Sequence, residues 1–317
     1  MLQQTQVATV MPYYQRFVAT FPDVQSLAAA SIETVLQIWS GLGYYRRAHL
    51  LHRAAQEVVS HYGGAFPRDA AALATLPGIG RSTAAAIAAF AYGERGAILD
   101  GNVKRVLARH EGVAGYAGDP AVERALWERA EALLPRGRIE PYTQALMDLG
   151  AMVCLRSTPD CARCPVDDDC VARLTDRIDL LPQSRPRKPI PQREVSVLLI
   201  GRGEEILLER RPPTGIWAGL WSLPEVECGA DVAAYCRERF GADVASGAAL
   251  APIEHAFTHF RLRLTPLVCA VERWPSRAED SGHDACVWLP LSDATGAALP
   301  APIKKLLRSL STQATTA

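Results

Sequence analysis

Through the first part of the chain, apolar residues recur at three- to four-residue spacing. Residues 32–41, 44–62, 121–134 and 141–154 carry this pattern, and each is predicted to be an amphipathic helix. Gly63-Gly64 and Pro77-Gly78 fall between such segments and punctuate them. Alternation of β-branched residues is scarce here, so residues 1–180 are expected to form an all-α domain. The texture changes at residues 181–193, LPQSRPRKPIPQR, where four prolines stand among Arg and Lys. Such a run predicts a stiff, polar, extended connector. Beyond it, strands are predicted at 195–201, 206–211, 219–224, 260–271 and 285–289, with helices at 231–240 and 303–310. The expected organisation is a helical domain at 1–180, a linker at 181–193 and an α+β domain at 194–317.

With 317 residues, 49% of them apolar, the chain can bury two ordinary cores. No run approaches the roughly 18 to 20 consecutive apolar residues that span a bilayer. Residues 1–6 are polar and uncharged, unlike a secretory signal. A soluble, cytoplasmic protein is expected. The formal net charge is zero, which does not exclude nucleic acid, because a basic stripe can sit inside a neutral total.

Four of the eight cysteines, Cys154, Cys161, Cys164 and Cys170, are clustered. Cys228, Cys236, Cys269 and Cys286 are scattered and read as small buried hydrophobes. Zinc sites usually pair two CxxC units or mix Cys with His. Here one CxxC has a lone cysteine on each side and no histidine nearby. That spacing fits a [4Fe–4S] cluster better than zinc, because the cube takes one thiolate at each of four corners. Pro165 and the acidic run at 167–169 predict a loop around it.

Leu76-Pro77-Gly78-Ile79-Gly80 is followed by Arg81-Ser82-Thr83 and an alanine-rich run. Gly78 and Gly80 predict a tight turn with exposed N–H groups, and Ser82 or Thr83 can cap the next helix. A helix N-terminus behind a glycine turn is a ready phosphate site, although an ordinary helix–turn–helix corner has the same pattern. Asp100 comes about twenty residues later, after Ile98-Leu99 and before an amphipathic helix with Lys104, Arg105 and Arg109. It is predicted at a helix N-terminus, where the dipole favours negative charge; on this evidence alone it is a plain N-cap.

The glycine hairpin, the aspartate and the four-cysteine loop in this order resemble the helix–hairpin–helix superfamily of DNA glycosylases that includes endonuclease III. Met1-Leu2-Gln3-Gln4-Thr5-Gln6, Gly41-Leu42-Gly43-Tyr44-Tyr45-Arg46 and the segment from Asp148 to Cys154 are similar to motifs of the adenine DNA glycosylase (MutY) family. The resemblance implies a helix–hairpin–helix domain with its hairpin near 76–90 and a [4Fe–4S] loop at 154–170. It implies removal of adenine mispaired with 8-oxoguanine or guanine in double-stranded DNA, by a monomer that flips the base out of the stack. Endonuclease III-type enzymes carry a nucleophilic lysine where Ser82 stands, so Ser82 implies a monofunctional glycosylase. Asp100 would stabilise the oxocarbenium-like sugar and guide water, and Asn102 would orient the groups around it. Gln144 would hydrogen-bond the flipped adenine. Tyr44 and Gln4 would wedge the duplex beside the lesion; without the family context, Tyr44 reads as core packing beside Tyr45.

The family's general acid is a glutamate two residues ahead of the methionine that is Met1 here. The expectation is that Met1 is an internal methionine of a longer protein, and that the chain as written excises adenine very slowly.

Residues 194–317 resemble the family's Nudix-like domain. The motif G-x5-E-x7-R-E-x-x-E-E can be laid on Gly219 and Glu225, which puts its carboxylate-rich end on Ala-Ala-Tyr-Cys-Arg-Glu at 233–238. Most Mg²⁺-binding carboxylates are lost, so a recognition module without hydrolysis is expected. Phe257, Thr258 and His259 resemble the loop that senses 8-oxoguanine. Arg185, Arg187 and Lys188 are expected either to follow phosphates or to be a solvated connector. The alternatives are a non-catalytic protein that binds 8-oxoguanine mispairs and an endonuclease III-like lyase; Ser82 and the C-terminal domain speak against the lyase.

Overall fold

The computed structural model describes residues 1–3, 5–185, 189–275 and 285–315. Gln4, Arg187 and Lys188 lie outside the described residues. The chain divides into two compact units, residues 1–52 with 189–317, and residues 53–188. The linear division predicted above therefore differs from the compact one in where residues 1–52 belong. Among the described residues no helix is long and apolar enough to cross a membrane.

The first unit begins with α1 (Val7–Thr20), α2 (Val24–Ala29), α3 (Ile32–Trp39) and the start of α4 (Arg46–Tyr62). Asp23 and Ser31 cap α2 and α3 by accepting backbone N–H bonds from Ser26 and Thr34. Val10 and Phe17 of α1 are buried, as are Val35, Leu36 and Trp39 of α3, and Phe17 meets Trp39 edge-on at 6.2 Å.

The same unit holds an eight-stranded sheet. Its strands are β1 (Gln192–Arg202), β2 (Glu205–Arg210), β3 (Trp221–Ser222), β4 (Glu225–Glu227), β5 (Asp243–Ala249), β6 (Ile253–Ala256), β7 (Arg261–Arg273) and β8 (Cys286–Pro290). The order is β3-β2-β1-β7-β5, with β4 on β1, β6 on β7 and β8 on β2. β1 and β7 run parallel from Gln192↔Arg261 to Gly201↔Ala270, while the other pairs are antiparallel. β1 is buried from Val197 to Ile200, which explains its continuous apolar run. Val232, Cys236 and Phe240 on the helix Val232–Phe240 pack on Leu198, Ile200 and Leu207 of the sheet. The strand predicted at 219–224 shrinks to Trp221–Ser222, because Gly219 is left-handed (φ 72°) and Pro224 cannot donate to a ladder.

The second unit continues α4 and adds α5 (Ala70–Leu73), α6 (Arg81–Tyr92), α7 (Gly101–His110), α8 (Pro120–Ala132), α9 (Ile139–Asp148) and α10 (Val171–Leu174). Ala84, Ala85, Ala88 and Ala89 are buried on α6, and such small side chains let helices approach closely. Val103 and Leu107 of α7 meet Ala85, Leu126 and Ala130 in one core. Leu146 and Met147 of α9 pack against the same core.

Arg109 is only 4% exposed at the C-terminal end of α7. Its Nε donates to the carbonyls of Ile178 (3.2 Å) and Leu181 (2.9 Å), and its Nη atoms donate to those of Leu155 (2.7 Å) and Arg156 (3.0 Å). One side chain thus gathers both ends of the cysteine-bearing segment. Arg109→Met leaves these carbonyls without donors and is expected to cost roughly 3 kcal/mol. Urea unfolding measures this, and an unchanged midpoint would show that water replaces the guanidinium.

Candidate active site and DNA-facing residues

Asp100 is the N-cap of α7. Its Oδ1 accepts from the N–H groups of Asn102 (2.8 Å) and Val103 (2.9 Å). The residue is exposed, and among the described residues its Oδ2 has no hydrogen-bond partner. Two donors at a helix N-terminus orient the carboxylate and leave one oxygen for a ligand.

Behind Asp100, Arg105 Nη2 donates to Asn102 Oδ1 (3.1 Å) and Gly150 O (2.6 Å), and its Nε donates to Cys154 O (2.8 Å). Gly150 lies in a π-helical turn, Leu149–Val153, that follows α9 directly, and Cys154 is the residue that ends it. A π turn shifts the i→i+4 ladder and re-aims carbonyls that an α-helix would keep internal. Gly150 is needed at this contact, because a Cβ there would lie 2.8 Å from Asn102 Cβ. Aspartate, asparagine, arginine and the entry to the cysteine loop therefore form one continuous contact.

Ser82 lies in the first turn of α6, behind the Gly80 N-cap, and its Oγ accepts from the N–H of Leu99 (2.9 Å). The hydroxyl thus ties the start of α6 to the residue directly before Asp100. Gly78 turns the hairpin in a left-handed conformation (φ 79°), and Ile79 N–H bonds to Leu76 O (3.1 Å). Gln144 is exposed on α9, and its Nε2 donates to Asp148 Oδ1 (2.8 Å). That bond fixes the amide so that its carbonyl oxygen is the free end.

Cys154, Cys161, Cys164 and Cys170 all line one cavity, together with Val106, Leu149, Val153 and Ile178. Arg109 Nη1 lies 3.4 Å from Cys154 Sγ. Burial raises the Cys164 thiol above its ordinary pKa, with Cys154, Cys170 and Cys161 adding to the shift. Among the described residues, no three His, Cys, Asp or Glu side chains are arranged to hold a single metal ion. Each of the four cysteines contributes a thiol to the lining of that cavity, a donor set that suits a cluster with one iron at each corner.

The first unit carries the other predicted contacts. Tyr44 is 49% exposed and left-handed (φ 50°), whereas Tyr45 is 8% exposed and accepts the Gly41 N–H (3.2 Å) through its hydroxyl. Tyr45 thus takes the core place that local pattern offered to Tyr44. A left-handed tyrosine costs about 1 kcal/mol or more, and such cost is typically kept at functional positions. Phe257 stacks on Phe260 (4.4 Å, 18° between planes) and lies 5.4 Å from the Trp217 ring and 4.7 Å from His255. Burial lowers the His255 pKa, so this packing favours the neutral imidazole. Thr258 and His259 are exposed at the tip. Glu225, one of the carboxylates retained from the Nudix pattern, pairs with Arg211 at 2.5 Å.

Sequence reasoning missed Arg105, Gly150, Trp217 and Arg47. Trp217 is a buried, left-handed tryptophan (φ 57°), and its only signal was its place inside a Pro/Gly-rich loop. The others act on partners far along the chain.

Residues 1–132 match the HhH-GPD superfamily of base excision DNA repair proteins, and residues 195–309 match the NUDIX domain. Fold and site together define a helix–hairpin–helix base-excision repair protein with an appended Nudix-like domain. Adenine DNA glycosylases from two subspecies of Buchnera aphidicola are similar to it over 98% of the chain. That from the Acyrthosiphon pisum symbiont is 31% identical over 309 residues, and that from the Baizongia pistaciae symbiont 32% over 311; the match covers 87% of each relative. The Homo sapiens adenine DNA glycosylase is 38% identical over 273 residues, which span 71% of this chain and 50% of the human one. The chain belongs to the adenine DNA glycosylase family.

Gly150→Ala is expected to force Asn102 and the π turn apart at a cost of about 1 to 3 kcal/mol. A thermal melt measures it. A variant as stable as the parent would mean that the turn relaxes freely and does not fix Asn102.

Proposed function

We propose that this chain is a monofunctional DNA glycosylase of base-excision repair that hydrolyses the N-glycosidic bond of adenine mispaired with 8-oxoguanine or guanine. The observation that carries the proposal is Asp100: an exposed carboxylate held by two N–H groups, with one oxygen unused and a polar network fixing the helix beneath it.

The bond from the sugar to adenine breaks with its electron pair leaving on the base, so positive charge develops on the sugar. A fixed carboxylate beside that charge stabilises it, and the same oxygen guides water to the sugar carbon. Asn102 keeps the carboxylate in register through its own N–H. Gln144 presents a carbonyl oxygen that suits the exocyclic amino group of a flipped adenine. Leaving adenine also needs a proton on a ring nitrogen. The residues named here account for the cation-stabilising and water-guiding half of the reaction. Ser82 offers no amine for a Schiff base, and its hydroxyl serves Leu99.

The turn at Gly78 and Gly80, with the start of α6 at Ser82, supplies N–H groups for a DNA phosphate. Tyr44 and Gln4 wedge the duplex, and Phe257, Thr258 and His259 read 8-oxoguanine. The partner is double-stranded DNA, bound by a monomer in the cytoplasm at the nucleoid. Cys154, Cys161, Cys164 and Cys170 would hold a [4Fe–4S] cluster, which would cross-link the loop.

Single-turnover adenine release from an 8-oxoguanine:adenine duplex tests the activity, on this chain and on a variant extended by a family-type N-terminal segment. Release by the extended chain that falls about 1,000-fold in Asp100→Asn is expected, in the range seen when a transition-state electrostatic partner is removed. Tight binding with no release from either would leave the mispair-binding reading in its place. For the cysteines, anaerobically purified protein is expected to contain iron and acid-labile sulfide in equal amounts. Stoichiometric zinc without sulfide would overturn that assignment.

A further inference from the structure

We infer that Arg47 is a positioning residue that holds the Tyr44 turn and the stretch flanking Gln4 together as one DNA-facing unit. This rests on the wedge role proposed above for those two segments.

Arg47 sits in the first turn of α4 and is half-buried. Its Nη1 donates to the carbonyl of Met1 (2.6 Å) and to that of Gln3. Its Nη2 donates to Thr5 Oγ1 (3.1 Å) and to Gly43 O (3.2 Å). Gly43 O also accepts from Trp39 Nε1 (3.1 Å). The guanidinium lies over the rings of Trp39 and Tyr44, at 5.4 Å from each. One planar group thus binds both sides of Gln4 and the backbone directly before Tyr44, and it packs on the Tyr44 ring itself.

The choice of partners separates this from an ordinary structural ion pair. A part-buried cation normally meets a carboxylate, yet among the described residues no carboxylate pairs with Arg47. Its partners are carbonyls, one hydroxyl and two aromatic faces, and most of them belong to the two segments proposed to enter the duplex. Gly43 (φ 76°) and Tyr44 (φ 50°) are both left-handed, a backbone state that neighbours must hold in place. The fork of the guanidinium is needed because the acceptors lie on separate segments. A lysine keeps the charge but offers one compact ammonium.

The test uses the full chain and an 8-oxoguanine:adenine duplex with 2-aminopurine beside the lesion, whose fluorescence rises when its neighbour unstacks. An undamaged duplex is the reference. Tyr44→Ala is expected to remove the rise and to cut the preference for the lesion duplex about tenfold, the size of one lost base–aromatic stack. Arg47→Lys is expected to do the same while keeping a cooperative melt. Thr5→Val, which deletes a single acceptor, is expected to cut the preference roughly two- to threefold. Arg47→Lys that behaves like the parent while Tyr44→Ala loses the signal overturns the inference and leaves the wedge reading standing. If Tyr44→Ala changes nothing, the wedge reading itself fails and the inference with it. If Arg47→Lys does not fold, Thr5→Val decides, and an unchanged preference there overturns the inference.

Discussion

Two guanidinium groups on one helix carry most of the structural argument in the helical unit. α7 presents Asp100 at its N-terminus and is anchored by Arg105 and Arg109 further along. Both arginines donate to carbonyls of the segment that begins at the π turn and runs through Cys154 to Leu181. Neither relies on a carboxylate within the segment. A backbone carbonyl carries no charge that salt can screen, and it becomes an unsatisfied buried acceptor if the donor leaves. The position of Asp100 is thereby tied to the path of the cysteine loop. A cluster in that loop needs no redox role to matter, because holding the loop also holds α7.

The sheet-bearing unit solves a different problem, which is to present polar tips on an apolar base. Thr258 and His259 stand out from the turn while Phe257 is packed against Trp217, His255 and Phe260. Glu225 pairs with Arg211, and Arg237 of the helix Val232–Phe240 pairs with Asp243 at the start of β5.

Local features were legible in the sequence, and distant ones were not. The N-cap at Asp100, the turn at Gly78 and the clustering of Cys154, Cys161, Cys164 and Cys170 each depend on neighbours a few residues away. The helices α3, α4, α8 and α9 follow from apolar spacing, and β1 and β7 from long apolar runs. β5 escaped because its residues, Asp-Val-Ala-Ser-Gly-Ala-Ala, carry almost no β-branched signal, and only its pairing with β7 makes it a strand. Arg105 looked like a solvated charge on an amphipathic helix, since its acceptors lie 45 and 49 residues further on. Tyr44 and Tyr45 were indistinguishable by composition. The left-handed turn after Gly43 decides which of them is buried, and it depends on a backbone conformation that side-chain pattern does not encode.

Arg105 fixes the N-terminus of α7, and with it Asp100, against the π turn. Amide hydrogen exchange at Asn102 and Val103 in Arg105→Met beside the parent chain tests this most directly, because those two N–H groups are the ones that hold the carboxylate. Faster exchange is expected at both amides, with protection in α6 and α8 unchanged. Equal protection at Asn102 and Val103 in the two chains would contradict it.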